Sequence, residues 1–362
     1  MSMFLNGLDI NYASLMEELG FKWKTTAGEE INDLLYFFKD VGINCIRLRI
    51  WFGDSGPSRL PYALKLAERA RKAGMGIQPT IFLSDSWADL YKQPAPIRWA
   101  SLSFEDILRL VGSYISKVVK GMKHLEDSCT YYQIGNEIDY GLCGVFAGSR
   151  FKKKRKDIKW LRSHIWLKES MILRKAIEAL RAHSNKPVAL HLGKIWDLAL
   201  LESFLSTMDE FEVSYEIICF SFYPTGLGLG LSHLENLKAL GKSEGKTVAI
   251  AEYAYPCGAP SGQFWFMNKP SPGYPLTIEG QALWIKDFLK RCLELGFLGA
   301  FYWSPELYLT KEASKGIKAP QEMPLGFGWG PMSLFDEDGH ARPSIESLKC
   351  GLSSLNHASL NF

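Results

Sequence analysis

Two acidic residues stand where apolar runs end. Glu137 closes the stretch Tyr131-Tyr132-Gln133-Ile134-Gly135-Asn136, and Glu252 closes Val248-Ala249-Ile250-Ala251. A strand built only for packing seldom ends on an acid. Two carboxyl groups flanking one bond can cleave a glycoside: one gives a proton to the leaving oxygen, and the other attacks the sugar carbon or activates water. Other polar and aromatic residues occupy comparable positions. Arg47 and Arg49 share one face of a strand, because strand side chains alternate. An inward arginine needs an anionic partner. Glu252 is the natural one, with Asp9 the alternative for one of the two arginines. A cation beside Glu252 would keep it ionised and nucleophilic. His191, Tyr223 and Trp303 end three further strand-like runs.

These residues need a frame that gathers strand ends. Eight runs read as strands: Phe4–Ile10, Cys45–Trp51, Gly76–Leu83, Tyr131–Asn136, Val188–Leu192, Ile217–Tyr223, Thr247–Glu252 and Gly299–Trp303. Between them, Ile31–Val41, Ala63–Ala73, Phe104–Lys123, Trp166–Ala182 and Gly280–Leu295 carry apolar residues at helical spacing. Eight alternating βα units predict an α/β fold, a single (β/α)8 TIM barrel with extended βα loops spanning residues 1–362. Barrel active sites form at the C-terminal strand ends, and strands four and seven face each other across that mouth. A doubly wound open sheet is the alternative, but no Gly-rich phosphate fingerprint follows any strand. Residues Gly141–Arg162 hold the basic run Lys152–Lys156, read as a solvated loop or helix start. Residues Tyr255–Thr277, rich in Pro, Gly and aromatics, read as a long ordered loop over a cleft.

Composition narrows the partners. The 362 residues are 47 % hydrophobic, enough for one large core, and the net charge of +3 gives no overall bias toward nucleic acid or membrane. Eleven tryptophans supply flat platforms of the kind sugar clefts use. The seven cysteines show no C-x-x-C spacing, so no zinc site and no disulfide framework is implied. No apolar run reaches the length of a transmembrane helix. The start, MSMFLNGLDI, lacks the basic and apolar regions of a secretory signal. The expectation is an intracellular protein, or a secreted one whose signal has been removed.

The chain resembles glycoside hydrolase family 53, the arabinogalactan endo-β-1,4-galactanases, within clan A of retaining (β/α)8 glycosidases. The resemblance rests on Gly7-Leu8-Asp9, Ile46-Arg47-Leu48-Arg49-Ile50-Trp51, Ser84-Asp85-Ser86-Trp87-Ala88-Asp89, Gly135-Asn136-Glu137-Ile138, Ser221-Phe222-Tyr223-Pro224, Glu252 through Tyr255-Pro256, Phe301-Tyr302-Trp303 and Leu334-Phe335-Asp336. These occur in the family's order over nearly the whole chain. The resemblance implies Glu137 as acid/base and Glu252 as nucleophile. It implies Asn136 against the substrate 2-hydroxyl and Tyr223 near the nucleophile. Arg47, Arg49, Trp87, Asp89, His191, Tyr255 and Trp303 would complete the substrate-binding set.

Several cleft positions depart from the family pattern. Thr80 and Phe82 stand where the pattern has an acid and a histidine, Leu90 replaces a proline, and Ser304 an acid, with Glu306 two residues on. Thr225-Gly226-Leu227-Gly228 stands where aromatic and histidine residues are usual. Some bacterial members carry calcium in late loops, but no Asp/Asn cluster here is spaced for it. The expectation is a monomeric enzyme without cofactor or metal that acts on a polysaccharide or oligosaccharide. The alternatives are another clan A β-glycanase or β-glycosidase, acting on mannan, glucan or a galactoside, and a non-catalytic carbohydrate-binding barrel.

Overall fold

The apolar runs form strands because each is buried on both faces, as parallel sheets require. The computed structural model describes residues 3–260, 264–308 and 330–351. Eight strands pair in parallel: β1 Leu5–Asp9, β2 Cys45–Ile50, β3 Gly76–Ile81, β4 Tyr132–Ile134, β5 Val188–Leu192, β6 Ile217–Phe222, β7 Thr247–Tyr253 and β8 Gly299–Trp303. They follow one another around a closed barrel, with β8 returning to pair with β1 from Leu5↔Gly299 to Asp9↔Trp303.

Most strands stop short of the residues read from the sequence. The clearest case is β4, which ends at Ile134 because Gly135 turns the chain with φ 75°. Helices outside the barrel include Leu34–Asp40, Leu60–Lys72, Phe104–Gly121, Leu167–Arg181 and Ile278–Glu294. Two more, Leu198–Glu210 and His233–Ser243, complete the alternation and were not picked out by periodicity. The basic run lies in a 3-10 segment, Ser149–Lys156, and is mostly solvent-exposed. Its Arg155 is held, with Nε donating to the Ala147 carbonyl at 2.7 Å and the guanidinium over the rings of Tyr140 and Phe146.

Inside the barrel, alternate residues stack in layers. Leu5, Cys45, Tyr131, Ala189, Ile217, Cys219, Ala249, Ala251 and Phe301 form an apolar plug. Phe301 fits only because residue 7 is glycine: a Cβ there would lie 2.2 Å from the Phe301 ring. Above the plug the interior turns polar, and Asp9, Arg47, Arg49, Gln78, Gln133 and His191 are all fully buried. The plug therefore seals the barrel and leaves the mouth as the place for chemistry.

One buried acid sits outside this layer. Glu169, on the helix Leu167–Arg181, is fully buried, and among the described residues neither carboxyl oxygen has a hydrogen-bond partner. Burial first, and the Asp139 charge second, raise its pKa well above the ordinary carboxyl range. The unfolded chain ionises this group above about pH 4.3. The folded-state pKa is raised, so its contribution to stability is fully present below that pH and is lost as pH rises toward the folded value. Glu169→Gln removes the titration. Its melting temperature relative to wild type is expected to rise between pH 5 and pH 8, by an amount equivalent to at most about 1.4 kcal/mol per pH unit. A difference that stays constant with pH would show that Glu169 is not held protonated.

Candidate active site

The two carboxyls reach the mouth by two departures from regular geometry. In β7, Ile250 stands opposite Phe220 but Glu252 opposite the next residue, Ser221. On the other side Ile250 pairs with Ala300 and Tyr253 with Tyr302. One extra residue therefore sits in β7 at Ala251–Glu252, a bulge that re-aims a side chain. Without it, Ala249 and Ala251 would face inward and Glu252 outward. With it, Ala251 joins the interior plug and Glu252 faces the mouth. Glu137 follows β4 with φ 49°, a left-handed backbone that non-glycine residues rarely adopt. Such conformations cost about 1–3 kcal/mol each and persist where the surroundings hold them. Here Gln93 Nε2 donates to the Asn136 carbonyl at 2.6 Å and Ile138 N to the His191 carbonyl at 2.9 Å.

Both carboxyls line one cavity of about 560 Å³. Glu252 Oε1 accepts from Arg47 Nη1 at 2.8 Å, and its Oε2 accepts from Tyr223 Oη at 2.9 Å. Among the described residues, no cation contacts Glu137. Its Oε1 lies 2.6 Å from Ser221 Oγ, and its Oε2 accepts from Leu90 N at 3.0 Å. Burial, and then the charge of Glu252, push the Glu137 pKa up to about 8. Glu252 is also pushed up by burial, against the opposing pull of Arg47 and the Tyr223 hydrogen bond. The expected cation, Arg47, stands beside Glu252 and favours its ionised form, but burial is the larger effect and Arg47 offsets it. The arrangement still separates the pair. One acid is placed to hold a proton, and the other has a guanidinium and a phenol to stabilise its charge.

Arg47 is the hub beneath them. It donates to Asp9 Oδ2 at 2.6 Å as well as to Glu252, and its Nη2 donates to Asn136 Oδ1 at 2.8 Å. Arg49 pairs with Asp9 at 3.4 Å and lies under the rings of Trp87 and Trp303, 4.3 and 5.5 Å from their centroids. The two tryptophans stand 6.0 Å apart at the cavity wall, with Asp89 and Asn136 also lining it.

Four of the expected substrate contacts lie elsewhere. Arg47, Arg49 and His191 are fully buried behind the cavity lining. Tyr255 stacks on Trp284 at 4.8 Å, and its hydroxyl donates to the Tyr274 carbonyl, so its ring supports the β7 loop instead of facing the cavity. Of the departures from the family pattern, Phe82 is buried between Trp51 and Trp87 and does not line the cavity. Glu306 is buried too, with Oε1 accepting from Tyr12 N at 2.9 Å.

The sequence profile of glycosyl hydrolase family 53 matches residues 5–348. The chain belongs to this family. It is 27 % identical to the endo-beta-1,4-galactanase of Bacillus subtilis, covering 95 % of this chain and 85 % of that protein. It is 29 % identical to an uncharacterised protein of Niallia circulans, encoded in the bgaB 5′ region, over 96 % of this chain and 94 % of that one. The structure superposes on the Ignisphaera aggregans GH53 catalytic domain with a TM-score of 0.80 and 28 % identity, covering 96 % of each chain.

Within this family 53 chain, several cavity residues were not singled out individually in the sequence, although Leu227 lies in the departing stretch after β6 and Phe264, Phe266 and Met267 lie in the stretch read as a loop over a cleft. Ile195, Trp196, Leu227, Phe264, Phe266 and Met267 reach the cavity from the loops after β5, β6 and β7. Loop residues have no periodicity to mark them. Ser221 was visible only as part of Ser221-Phe222-Tyr223-Pro224, and it meets Glu137 because it follows Ile217 and Cys219 on the inward face of β6. Leu90 is the informative departure, because its backbone N–H reaches Glu137 and a proline there would have none.

Gly193 decides whether Glu137 has room. A Cβ at residue 193 would lie 2.8 Å from the Glu137 carboxyl carbon and 2.9 Å from Oε1. The obstructed atoms are the end of a flexible side chain, so the carboxyl should yield and the fold should not. Gly193→Ala is therefore expected to lower kcat about 100-fold, as misplacement by about 1 Å can do. The melting temperature should stay within a few degrees of wild type. Wild-type kcat in a folded Gly193→Ala protein would show that the Glu137 position is not critical.

Proposed function

We propose that this chain is a retaining endo-β-1,4-galactanase that cleaves galactan or arabinogalactan chains internally, with Glu137 as acid/base and Glu252 as nucleophile. The observation that carries the reading is the contrast between the two carboxyls of one cavity: Glu252 sits on Arg47 and Tyr223, and Glu137, with no cation in contact among the described residues, has its pKa pushed up to about 8. Family membership and the name of the Bacillus subtilis relative support the substrate.

In the first step a Glu252 oxygen attacks the anomeric carbon while the glycosidic bond breaks and the Glu137 proton passes to the leaving oxygen. The product is a glycosyl ester on Glu252 and an ionised Glu137. In the second step Glu137 takes a proton from water, the water oxygen bonds to the anomeric carbon, and Glu252 departs as carboxylate. Two inversions give net retention. Arg47 and Tyr223 stabilise Glu252 as a carboxylate before attack and after release. Trp87 and Trp303 offer apolar faces on which sugar rings can stack.

Glu252→Gln is expected to lose activity more than about a thousandfold while staying folded, since the covalent route is removed. Activity within about tenfold of wild type would overturn its assignment. Glu137→Ala should lose polysaccharide hydrolysis far more than hydrolysis of a dinitrophenyl glycoside, which needs no proton donor, and azide should restore its deglycosylation. Equal losses on both substrates would argue against the acid/base role.

The pH profile follows from the same two groups. Glu137 must be protonated to act, so kcat/KM should fall as pH rises through about 8, and it should fall again on the acid side as Glu252, whose pKa burial also raises, takes up a proton. Galactan digestion should give oligosaccharides first, with the β-anomer as the initial product by NMR. Galactose alone from the outset would refute endo action. Cleavage of mannan or β-glucan with galactan untouched would refute the substrate and leave the mechanism standing.

A further inference from the structure

A file of hydrogen-bonded side chains runs behind the cavity from one carboxyl to the other. Glu252 meets Arg47, Arg47 meets Asn136 Oδ1, and Asn136 Oδ1 lies 3.0 Å from His191 Nδ1. His191 Nε2 lies 2.9 Å from Ser221 Oγ, which lies 2.6 Å from Glu137 Oε1. His191 and Ser221 are both buried.

The direction of each bond follows from the fixed end. Arg47 can only donate, and the Asn136 Nδ2 donates to the Ala88 carbonyl at 3.1 Å, so Asn136 Oδ1 is an acceptor whose orientation is set. His191 Nδ1 has two neighbours, the acceptor Asn136 Oδ1 at 3.0 Å and the donor Gln133 Nε2 at 3.3 Å; the shorter contact assigns the hydrogen to Nδ1, since two lone pairs would otherwise face each other there. Burial and the neighbouring Arg47 charge hold His191 well below its ordinary pKa, hence neutral, so Nε2 has no hydrogen and accepts from the Ser221 hydroxyl. The single hydroxyl hydrogen of Ser221 is thereby used. Donation from Ser221 to a Glu137 carboxylate would lower the Glu137 pKa, but with the hydroxyl hydrogen directed at His191 the polarity reverses: Oγ meets Glu137 at 2.6 Å as an acceptor, which requires a proton on Glu137 Oε1. The other Glu137 oxygen accepts from Leu90 N, as a carbonyl oxygen would.

We infer that His191 and Ser221 are positioning residues that hold the proton on Glu137, by turning the serine oxygen into an acceptor for it. This rests on the reading of Glu137 as the acid. The relay has a second setting. Once Glu137 has given up its proton, the Ser221 hydroxyl swings to the carboxylate, and His191 moves its hydrogen from Nδ1 to Nε2 to donate to Ser221. Gln133 Nε2, 3.3 Å from Nδ1, is the donor available to the bared nitrogen. That setting leaves Nδ1 against Asn136 Oδ1, so the ionised acid is disfavoured and recovers its proton readily. The other titratable groups around Glu137 are Glu252, Tyr223, Asp89 and Tyr91, and Arg47 is the charge facing His191. Among the described residues, Ser221 Oγ meets Glu137 and His191.

The sign of one shift tests this. Ser221→Ala removes the bond to the protonated acid and also the alternative bond to the carboxylate; because the second setting leaves His191 Nδ1 facing Asn136 Oδ1, the loss falls mainly on the protonated form, and the alkaline limb of kcat/KM moves to lower pH. The expected displacement is about one pH unit, or roughly tenfold in kcat/KM on the alkaline side. Ser221→Thr, which keeps the oxygen, should hold the limb in place. A serine that merely donated to a carboxylate would give the opposite shift, so a limb that rises or stays put in Ser221→Ala overturns the inference. Nitrogen-15 NMR of histidine-labelled wild-type protein gives a readout that needs no activity. His191 should be the Nδ1–H tautomer at pH 6 and should convert to Nε2–H above the alkaline limb. An Nε2–H tautomer at pH 6 overturns the relay whatever the enzyme hydrolyses. The expected tautomer in a protein that cleaves no galactan would leave the relay standing and refute only the substrate.

Discussion

A guanidinium sealed from water must have its charge answered by its neighbours, and Arg47 meets that condition inside the barrel. Asp9 from β1, Glu252 from β7 and Asn136 beyond β4 all take hydrogen bonds from it at 2.6–2.8 Å. Removing one partner of such a buried pair typically costs about 3–5 kcal/mol, because the other charge is left without water or counter-ion. The same contacts that satisfy the arginine therefore fix the positions of a carboxylate and an amide at the mouth. Stability and site geometry are here one constraint, carried by three strands that are far apart in sequence.

From that centre the polar interior spreads in two directions. Toward β1 and β3, Arg49 shares Asp9 and supports Trp87 and Trp303 from below, so the aromatic wall rests on a cation. Toward β5 and β6, Asn136 passes the pattern of donors and acceptors to His191, Ser221 and Glu137. Asp139 pins the neighbouring loop, accepting from Gly193 N at 2.8 Å and Lys194 N at 2.9 Å, and so keeps the space that Glu137 occupies. Glu252, Asn136 and the two tryptophans thus rest on arginines behind the cavity, while Glu137 is held by Ser221 and Leu90 in the lining itself, as pre-organised sites require.

Much of this was legible in the residue order. Burial on both faces makes barrel strands read as short apolar runs, and all eight appear near their observed places. The acids at the ends of the fourth and seventh runs stood out because an apolar run has no packing reason to end in charge. Five helices were legible from apolar spacing. Leu198–Glu210 and His233–Ser243 complete the same alternation and were passed over. Tyr255 was misplaced for a related reason: a motif locates a residue along the chain but does not say which way a loop turns its ring, and Trp284 takes that ring inward.

The sequence by itself determined the (β/α)8 order, the family and the two acids, because these depend on residue types and their spacing. Only the tertiary structure decided which way Glu252 points. Strict alternation from Ala249 and Ala251 would turn it away from the mouth, and the extra residue in β7 is visible only against the registers of β6 and β8. Tertiary structure also decided that Ser221, and not a charged group, faces Glu137, and that Leu90 gives it a backbone N–H. Register, loop direction and hydrogen-bond polarity are properties of pairs of segments brought together by the barrel, and no single segment contains them.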